Sequence, residues 1–443
     1  MPDLTAPQKP SRIVIASFGS LGDLHPFLAL AVELRHRGHT VTVATAPFYE
    51  DRITPLGFAF EPIGPPISPE SPEILHRLMR TVRGPEYLFR ELFLPHLPQL
   101  YADLERITAN ADLLIAGEVV FTAPMLSEKT GIPWVSALLS PISFLSVYDV
   151  SILPPLTRLP DPHSLPPAFH KAFLKLLALV MNRWAKPLQD FRSQIGLPPS
   201  RDPFLRAKFT AGLVLAMFSE QFAKPQLDWP QQTRQTGFTF FDQHAKQPVT
   251  EAHREVTDSI RAFLDAGPRP VVFTLGSAAV HAAGDFFHVS AATAHRLRIR
   301  AILIGPQADL RFLAAQNILV VPYADYRTLF PHAAAIVHQG GIGTTAEVLR
   351  AGIPSLIVPF NFDQPDNAAR AARLGVAIAL PRRKYNRRHS YYALHRLLRD
   401  EDLRARAEAM GARIREENGT GSAVDAIENF LANQKTSPFS GKT

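Results

Sequence analysis

The sequence predicts an α/β protein built as two doubly wound, parallel-sheet domains facing a cleft, and three observations predict it. Residues 12–45, "RIVIASFGSLGDLHPFLALAVELRHRGHTVTVAT", read as strand, glycine-bearing loop, helix, glycine stop and strand. That is a β-α-β unit, whose right-handed crossover makes the sheet parallel. A second start of the same kind follows at "PRPVVFTLGSA". Near the far end, "HQGGIGTTAE" (338–347) joins a short apolar run to a segment of helical spacing. The chain has 443 residues, more than one ordinary core and about right for two domains plus extensions.

In order along the chain, a strand is expected at 12–17, a helix at 26–37 stopped by Gly38, and a strand at 40–45. "ADLLIAGE" and "PWVSALLS" continue that sheet. Segment 141–210 differs: it is proline-rich ("LPPLTRLPDPHSLPP"), then strongly apolar. With Lys171 and Lys175 at helical spacing, 169–186 reads as an amphipathic helix. It either packs on the domain core or forms a lip over a hydrophobic substrate, at a membrane surface in one version. The polar stretch "DQHAKQPVTEAHREV" (242–256) reads as the linker. Strands at 270–275, "AILIG", "ILVVPY", "SLIVPF" and "GVAIAL" make the second sheet. The expected units are 1–243, carrying the 141–210 insertion, then 244–425, then a helix from 426 that crosses back to the first unit and a disordered tail. Ligands of such sheets lie at the carboxyl ends of the strands, here the cleft.

Composition removes several classes of function. There are no cysteines, so disulfides and thiolate metal sites are excluded. No apolar run reaches the ~18 residues of a membrane span, and the polar start suggests no secretory leader. A cytoplasmic protein is expected, with peripheral contact to the inner membrane as an option. The net charge of +7 is scattered, apart from "RRKYNRR" at 382–388, and no aromatic platforms interleave with it. A solvated basic face is therefore expected rather than a nucleic-acid site.

The 338–347 stretch carries the chemistry. Glycines permit close backbone approach, and the helix start offers free N–H groups and the positive end of its dipole, a cradle for an anion such as phosphate. A tight turn needing glycine only for its dihedrals is the plain alternative.

With that turn placed, "HQGGIGTTAEVLRAGIPSLIVPFNFDQPDNAARAARLGVAI" resembles the donor-binding box of family 1 glycosyltransferases, the GT-B class that uses nucleotide sugars. "GSLGDLHPFLALAVELRHRGHTV" resembles the acceptor-domain opening of its sterol, antibiotic and lipid branch, and the segments around "FAKPQLDWPQQTRQTGFTFFD" look closest to the bacterial rhamnosyltransferases that build rhamnolipids. The resemblance covers about 12 to 430.

It implies that His338 meets the diphosphate, that Gly340, Gly341, Gly343 and Thr344 cradle it, and that Ser277 donates to the other phosphate. Glu347 would accept from the ribose hydroxyls, and Asp363 and Gln364 would hold the sugar. Plainer roles compete: His338 capping its strand, "DQPDN" forming an Asx turn, and Tyr323 packing in the core rather than against the base. Many relatives place a histidine base three residues before the proline of the first loop; here that position is Asp23, with His25 two residues later. Asp23 is the expected base, with helix capping as its rival role, and His25 and Glu118 as rival bases. Phe144 and Phe173 are expected on the acceptor side. No metal and no cofactor are implied, the nucleotide sugar being a co-substrate.

A carboxylate at Glu347 suits both hydroxyls of a ribose, which favours UDP-glucose over dTDP-rhamnose. The apolar segments 65–100 and 141–190 suit a flavonoid, polyketide, sterol or hydroxy-fatty acid. The expected function is an inverting transfer to such an acceptor, with a dTDP-rhamnose-dependent enzyme or a nucleotide- or lipid-binding module without turnover as rivals. No oligomeric state is implied.

Overall fold

The computed structural model describes residues 10–64, 71–80, 83–153, 165–242, 251–305 and 310–436. Most of the prolines at 153–167, the core of the expected linker and most of the tail lie outside these residues.

The first sheet contains β1 (Arg12–Ala16), β2 (Thr40–Thr45), β3 (Ala59–Pro62), β4 (Leu113–Gly117), β5 (Trp134–Leu138), β6 (Leu213–Ala216) and β7 (Thr233–Gln235) in the order β3-β2-β1-β4-β5-β6-β7. The second contains β8 (Val271–Thr274), β9 (Ala301–Ile304), β10 (Ile318–Val321), β11 (Ala335–His338), β12 (Ser355–Ile357) and β13 (Ala377–Ala379) in the order β10-β9-β8-β11-β12-β13. Among the described residues, neighbouring strands of both sheets pair in parallel. In each sheet the order reverses beside the first strand, which sets the switch-point crevice at the start of α1 (Leu21–His36) in one domain and after β8 and β11 in the other. The central strands are short apolar runs buried on both faces, as parallel strands covered by helices must be, whereas the edge strands β3 and β7 bury no residue fully.

The helix α1 starts earlier than the proline signal suggested. It begins at Leu21, with Ser20 as the capping residue, so Asp23 lies inside its first turn and Pro26 sits within the helix. Pro26 has no N–H to give the carbonyl of Gly22 four residues before it, which leaves that oxygen turned to the cleft, where a Cβ on Gly343 would stand 3.6 Å away.

Helix α2 (Pro167–Asn182) buries only His170. Phe169, Leu176, Leu179 and Val180 are exposed, so the outer side of this helix is not core. The expected linker is not extended throughout: from Glu251 it is the helix α3 (Glu251–Asp265), which packs Val256, Ile260, Phe263 and Leu264 against the second sheet.

Helices α4 (Ile342–Ala351) and α5 (Gln364–Arg373) follow β11 and β12 and carry the donor-type box. The last helix, α6 (Gly419–Thr436), starts before the expected 426 and returns to the first domain. It buries Ala423, Val424, Ile427 and Leu431 among Ile13, Leu30 and Leu215, and Arg37 pairs with its Asp425 and Glu428. Among the described residues no helix is long and apolar enough to cross a membrane.

Candidate active site

The two switch-point turns meet face to face. A Cβ added to Gly343, in the first turn of α4, would stand 3.5 Å from Gly22 Cα in the first turn of α1. Two helix N-termini thus converge on one crevice, each a positive dipole end.

On the C-terminal side, β11 delivers His338 into full burial. Its Nδ1 accepts from the Gly340 N–H at 3.2 Å, so Nε2 carries the proton, and that buried Nε2 has no partner. Burial pushes its pKa down to about 3, so the ring is a neutral hydrogen-bond donor. Gly340 is a required glycine: its φ is 88° and a Cβ would meet Ile357 Cγ2 at 2.7 Å. Gly341 precedes α4. Thr344 Oγ1 lies 3.4 Å from Gln339 Nε2. Gln339 went unnoticed in the sequence, yet it fills the space between the turn and the β8 loop, where a Cβ on Gly276 would fall 2.5 Å from its Nε2. Its Oε1 is buried without a partner. Ser277, expected on a loop, is half-buried in a short helical turn, Gly276–Ala279, that follows β8.

The residues expected to hold the sugar also hold backbone: Asp363 that of the turn, Gln364 that of its own loop. Asp363 Oδ2 accepts from the Ile342 N–H at 3.0 Å and from Asn367 Nδ2 at 2.7 Å. The carboxylate therefore caps α4, and one free N–H of the expected anion cradle is already taken. Burial, then the charge of Asp23 across the cleft, push the Asp363 pKa up to about 7. Gln364 Oε1 accepts from the N–H groups of Phe360 and Asn361 at 2.8 and 3.2 Å, closing its own loop. Its oxygen is committed to the backbone, so only its amide nitrogen is available to a ligand.

On the N-terminal side, Asp23 Oδ2 accepts from Ser20 N–H at 2.8 Å and Ser20 Oγ at 3.0 Å. The carboxylate folds back so closely that a Cβ on Gly19 would lie 2.4 Å from Oδ2. Burial raises the Asp23 pKa, the charge of Glu118 raises it further, and the Ser20 bonds oppose both. The rival bases are placed otherwise. His25 is rotated about 200° around α1 from Asp23, and its ring packs on Phe241 at 5.5 Å between centroids. Glu118, after β4, is held by Lys208 on one oxygen and by Ser143 on the other. Lys208 lies ninety residues downstream of Glu118, a separation no local pattern reveals.

Two expected acceptor residues fall differently. Phe144 is core: it stacks on Trp229 at 4.0 Å and lies against Phe209 and Phe218. Phe173 is half-buried on α2. Tyr323, after β10, is 41% exposed and so is not core. Tyr326, three residues on, is half-buried, and its hydroxyl shares a 2.7 Å hydrogen bond with Thr274. Glu347 Oε2 accepts from Arg350 Nη2 at 2.7 Å, and Arg350 also grips Asp242 at 3.1 Å. Burial pushes the Glu347 pKa up to about 7 against the pull of Arg350. A cavity of about 650 Å³ opens there, lined by Glu347, Tyr326, Arg327 and Phe240 among others.

A clasp joins the domains beside the site. Ser140 Oγ donates to Asn367 Oδ1 at 3.3 Å, while Asn367 Nδ2 donates to the Gly340 carbonyl at 2.9 Å. The Ile152 N–H donates to Asp366 Oδ1 at 2.9 Å. Arg370 bonds Asp366 at 2.7 Å and reaches over to Asp149 and Ser151 of the first domain.

The fold and site define a two-domain α/β protein with facing glycine turns, and comparison with known proteins gives its class. Residues 13–148 match the family model described as Glycosyltransferase family 28 N-terminal domain, and residues 305–422 match Erythromycin biosynthesis protein CIII-like, C-terminal domain. The chain is 29% identical over 445 residues to O-mycaminosyltylonolide 6-deoxyallosyltransferase of Streptomyces fradiae, covering 97% of this chain and 100% of that one. It is 27% identical to Sterol 3-beta-glucosyltransferase of Neurospora crassa over 96% of its own length and 28% of that much longer protein. Among solved structures, glycosyltransferase VinC in complex with DTDP superposes with a TM-score of 0.65 at 20% identity, over 95% of this chain and 100% of that one. The chain belongs to the family 1 glycosyltransferases of the GT-B fold and is an enzyme of that class.

Proposed function

We propose that the chain moves a hexosyl unit, with inversion, from a nucleoside diphosphate sugar to a hydroxyl of a hydrophobic polycyclic or macrocyclic acceptor, with UDP-glucose as the favoured donor. One observation carries this reading: the Asp23 turn and the His338–Thr344 turn face each other so closely that a Cβ added to Gly343 would stand 3.5 Å from Gly22 Cα. A base and an anion-stabilising turn on opposite walls of a cleft are the arrangement that direct displacement at an anomeric carbon requires.

In that reaction the acceptor oxygen attacks the face of the sugar away from the diphosphate. Asp23 Oδ1 takes the hydroxyl proton, and the bond between the anomeric carbon and the phosphate oxygen breaks, its electron pair leaving with the diphosphate. The α4 N-terminus and the neutral His338 Nε2–H receive the growing negative charge. With a pKa near 3, His338 donates a hydrogen bond without surrendering its proton. Asp363 and the Gln364 amide nitrogen would bind the sugar hydroxyls. The glucosyl and macrolide-type relatives support the acceptor class.

A second donor reading has its own observation. One Glu347 oxygen is engaged with Arg350, which weakens the case for two ribose hydroxyls, and the VinC structure holds DTDP. A thymidine diphosphate deoxyhexose is that second donor; the 6-deoxyallosyl relative points to deoxyhexoses more broadly than to rhamnose.

The test is a donor screen without added metal: UDP-glucose, dTDP-glucose and dTDP-rhamnose, each with sterol, macrolide aglycone and flavonoid acceptors. Glycosylated product with UDP-glucose supports the reading. Turnover restricted to thymidine donors overturns the UDP assignment, and absence of product and of donor binding with all three overturns the transferase mechanism drawn here.

A further inference from the structure

Helix α2 is the part of the molecule that neither sheet explains. With about 100° of rotation per residue, Ala168, Phe169, Ala172, Leu176, Leu179 and Val180 fall within a stripe about 120° wide. That stripe faces outward: Phe169 is 54% exposed, Leu176 59% and Leu179 65%. The opposite side, with His170 buried and Phe173, Leu174, Leu177 and Met181 partly covered, rests on the protein. The helix is therefore apolar on both sides, and the outer side is a contiguous patch rather than scattered single residues.

We infer that this face docks on an anionic lipid surface. The charges decide for lipid over protein. From Leu165 to Gln189 there is no Asp or Glu, while Lys171 and Lys175 flank the stripe and Arg183 ends it, all three exposed. Lys186 is already paired with Asp190. An interfacial helix has this composition, with Lys and Arg beside a Phe- and Leu-bearing face and Trp184 at its end. A two-fold contact between two copies would bring the same patch together, setting lysines against a surface with no carboxylate. Lipid phosphates supply the complementary charge, and acyl chains accept the Leu and Phe side chains.

The experiment is co-flotation of the full chain with vesicles of phosphatidylcholine alone and of phosphatidylcholine with phosphatidylglycerol. Binding is expected to the anionic vesicles, weakening with salt. K171E together with K175E is expected to lower it at least tenfold, since each basic residue near such a surface is worth about fivefold. L176Q together with L179Q is expected to lose it, with circular dichroism unchanged. Failure to bind anionic vesicles overturns the inference, and so does equal binding to both compositions. A dimer in sedimentation that L176Q/L179Q dissociates also overturns it, because the face would then belong to a second copy. None of these readouts requires turnover, so a wrong donor or acceptor assignment leaves them intact.

Discussion

Asp23 Oδ2 is tied to Ser20 by two hydrogen bonds, which leaves Oδ1 as the oxygen that would meet an acceptor hydroxyl in the proposed transfer. Asn at this position still accepts from Ser20 but takes no proton. D23N is expected to lower kcat by about 10²–10⁴ while nucleotide binding, read by calorimetry, stays within about twofold. Gly19 is bound to the same carboxylate by sterics. With φ at 134° and the Asp23 oxygens in the way, G19A is expected to cost about 1–3 kcal/mol in denaturant unfolding. The buried titrating groups give a pH dependence with a definite sign. Asp363 and Glu347 hold protons more tightly when folded, each to about pH 7. Their contribution is full below the ordinary carboxylate range and is lost as pH rises through 7. His338 acts oppositely: its stability is present above its ordinary value and lost as pH falls toward 3. From pH ~6 to ~8 the carboxylates govern, so the ligand-free chain should lose about 1 kcal/mol per carboxylate. E347Q should flatten that slope in thermal unfolding followed across the same range.

Among the elements, α5 joins the chemistry to the domain interface. Arg370 neutralises buried Asp366 and reaches Asp149 in the other domain, while Asn367 holds both Gly340 and Ser140. R370M strands Asp366 without its cation and is expected to cost about 3–5 kcal/mol. D149N leaves the inner pair intact; it should cost under about 1 kcal/mol in stability and instead raise the acceptor KM, measured at saturating donor. The strands and the glycine turn were legible because apolar runs and glycine punctuation are local signals. The start of α1 was not: Pro26 reads as a helix opener, and the competing signal, Ser20 with an acid three residues on, is the one the chain obeys. The start of α3 was hidden by its polar first turn, although Val256, Ile260, Phe263 and Leu264 carry helical spacing. Glu118 with Lys208 and Phe144 with Trp229 are pairings across distant segments, invisible until the sheet brings them together.

Across the whole molecule, the two-domain plan and the facing turns follow from the repeated β-α pattern, whereas the division of labour at the cleft does not. Asp363 braces the turn beside it by capping Ile342, while Gln364 braces its own loop through Phe360 and Asn361, contacts that no motif announces. The last helix, α6, is a commitment across nearly the whole length of the chain. It supplies Ala423, Val424, Ile427 and Leu431 to a core whose strands begin at Arg12. During synthesis the first domain leaves the ribosome with that seat empty and cannot fill it until the final helix emerges, after the second domain is already complete. A chain released at Asn418 should therefore bind a hydrophobic dye and yield to protease in its N-terminal half while its C-terminal half resists. The part of the protein made first is the part that finishes folding last.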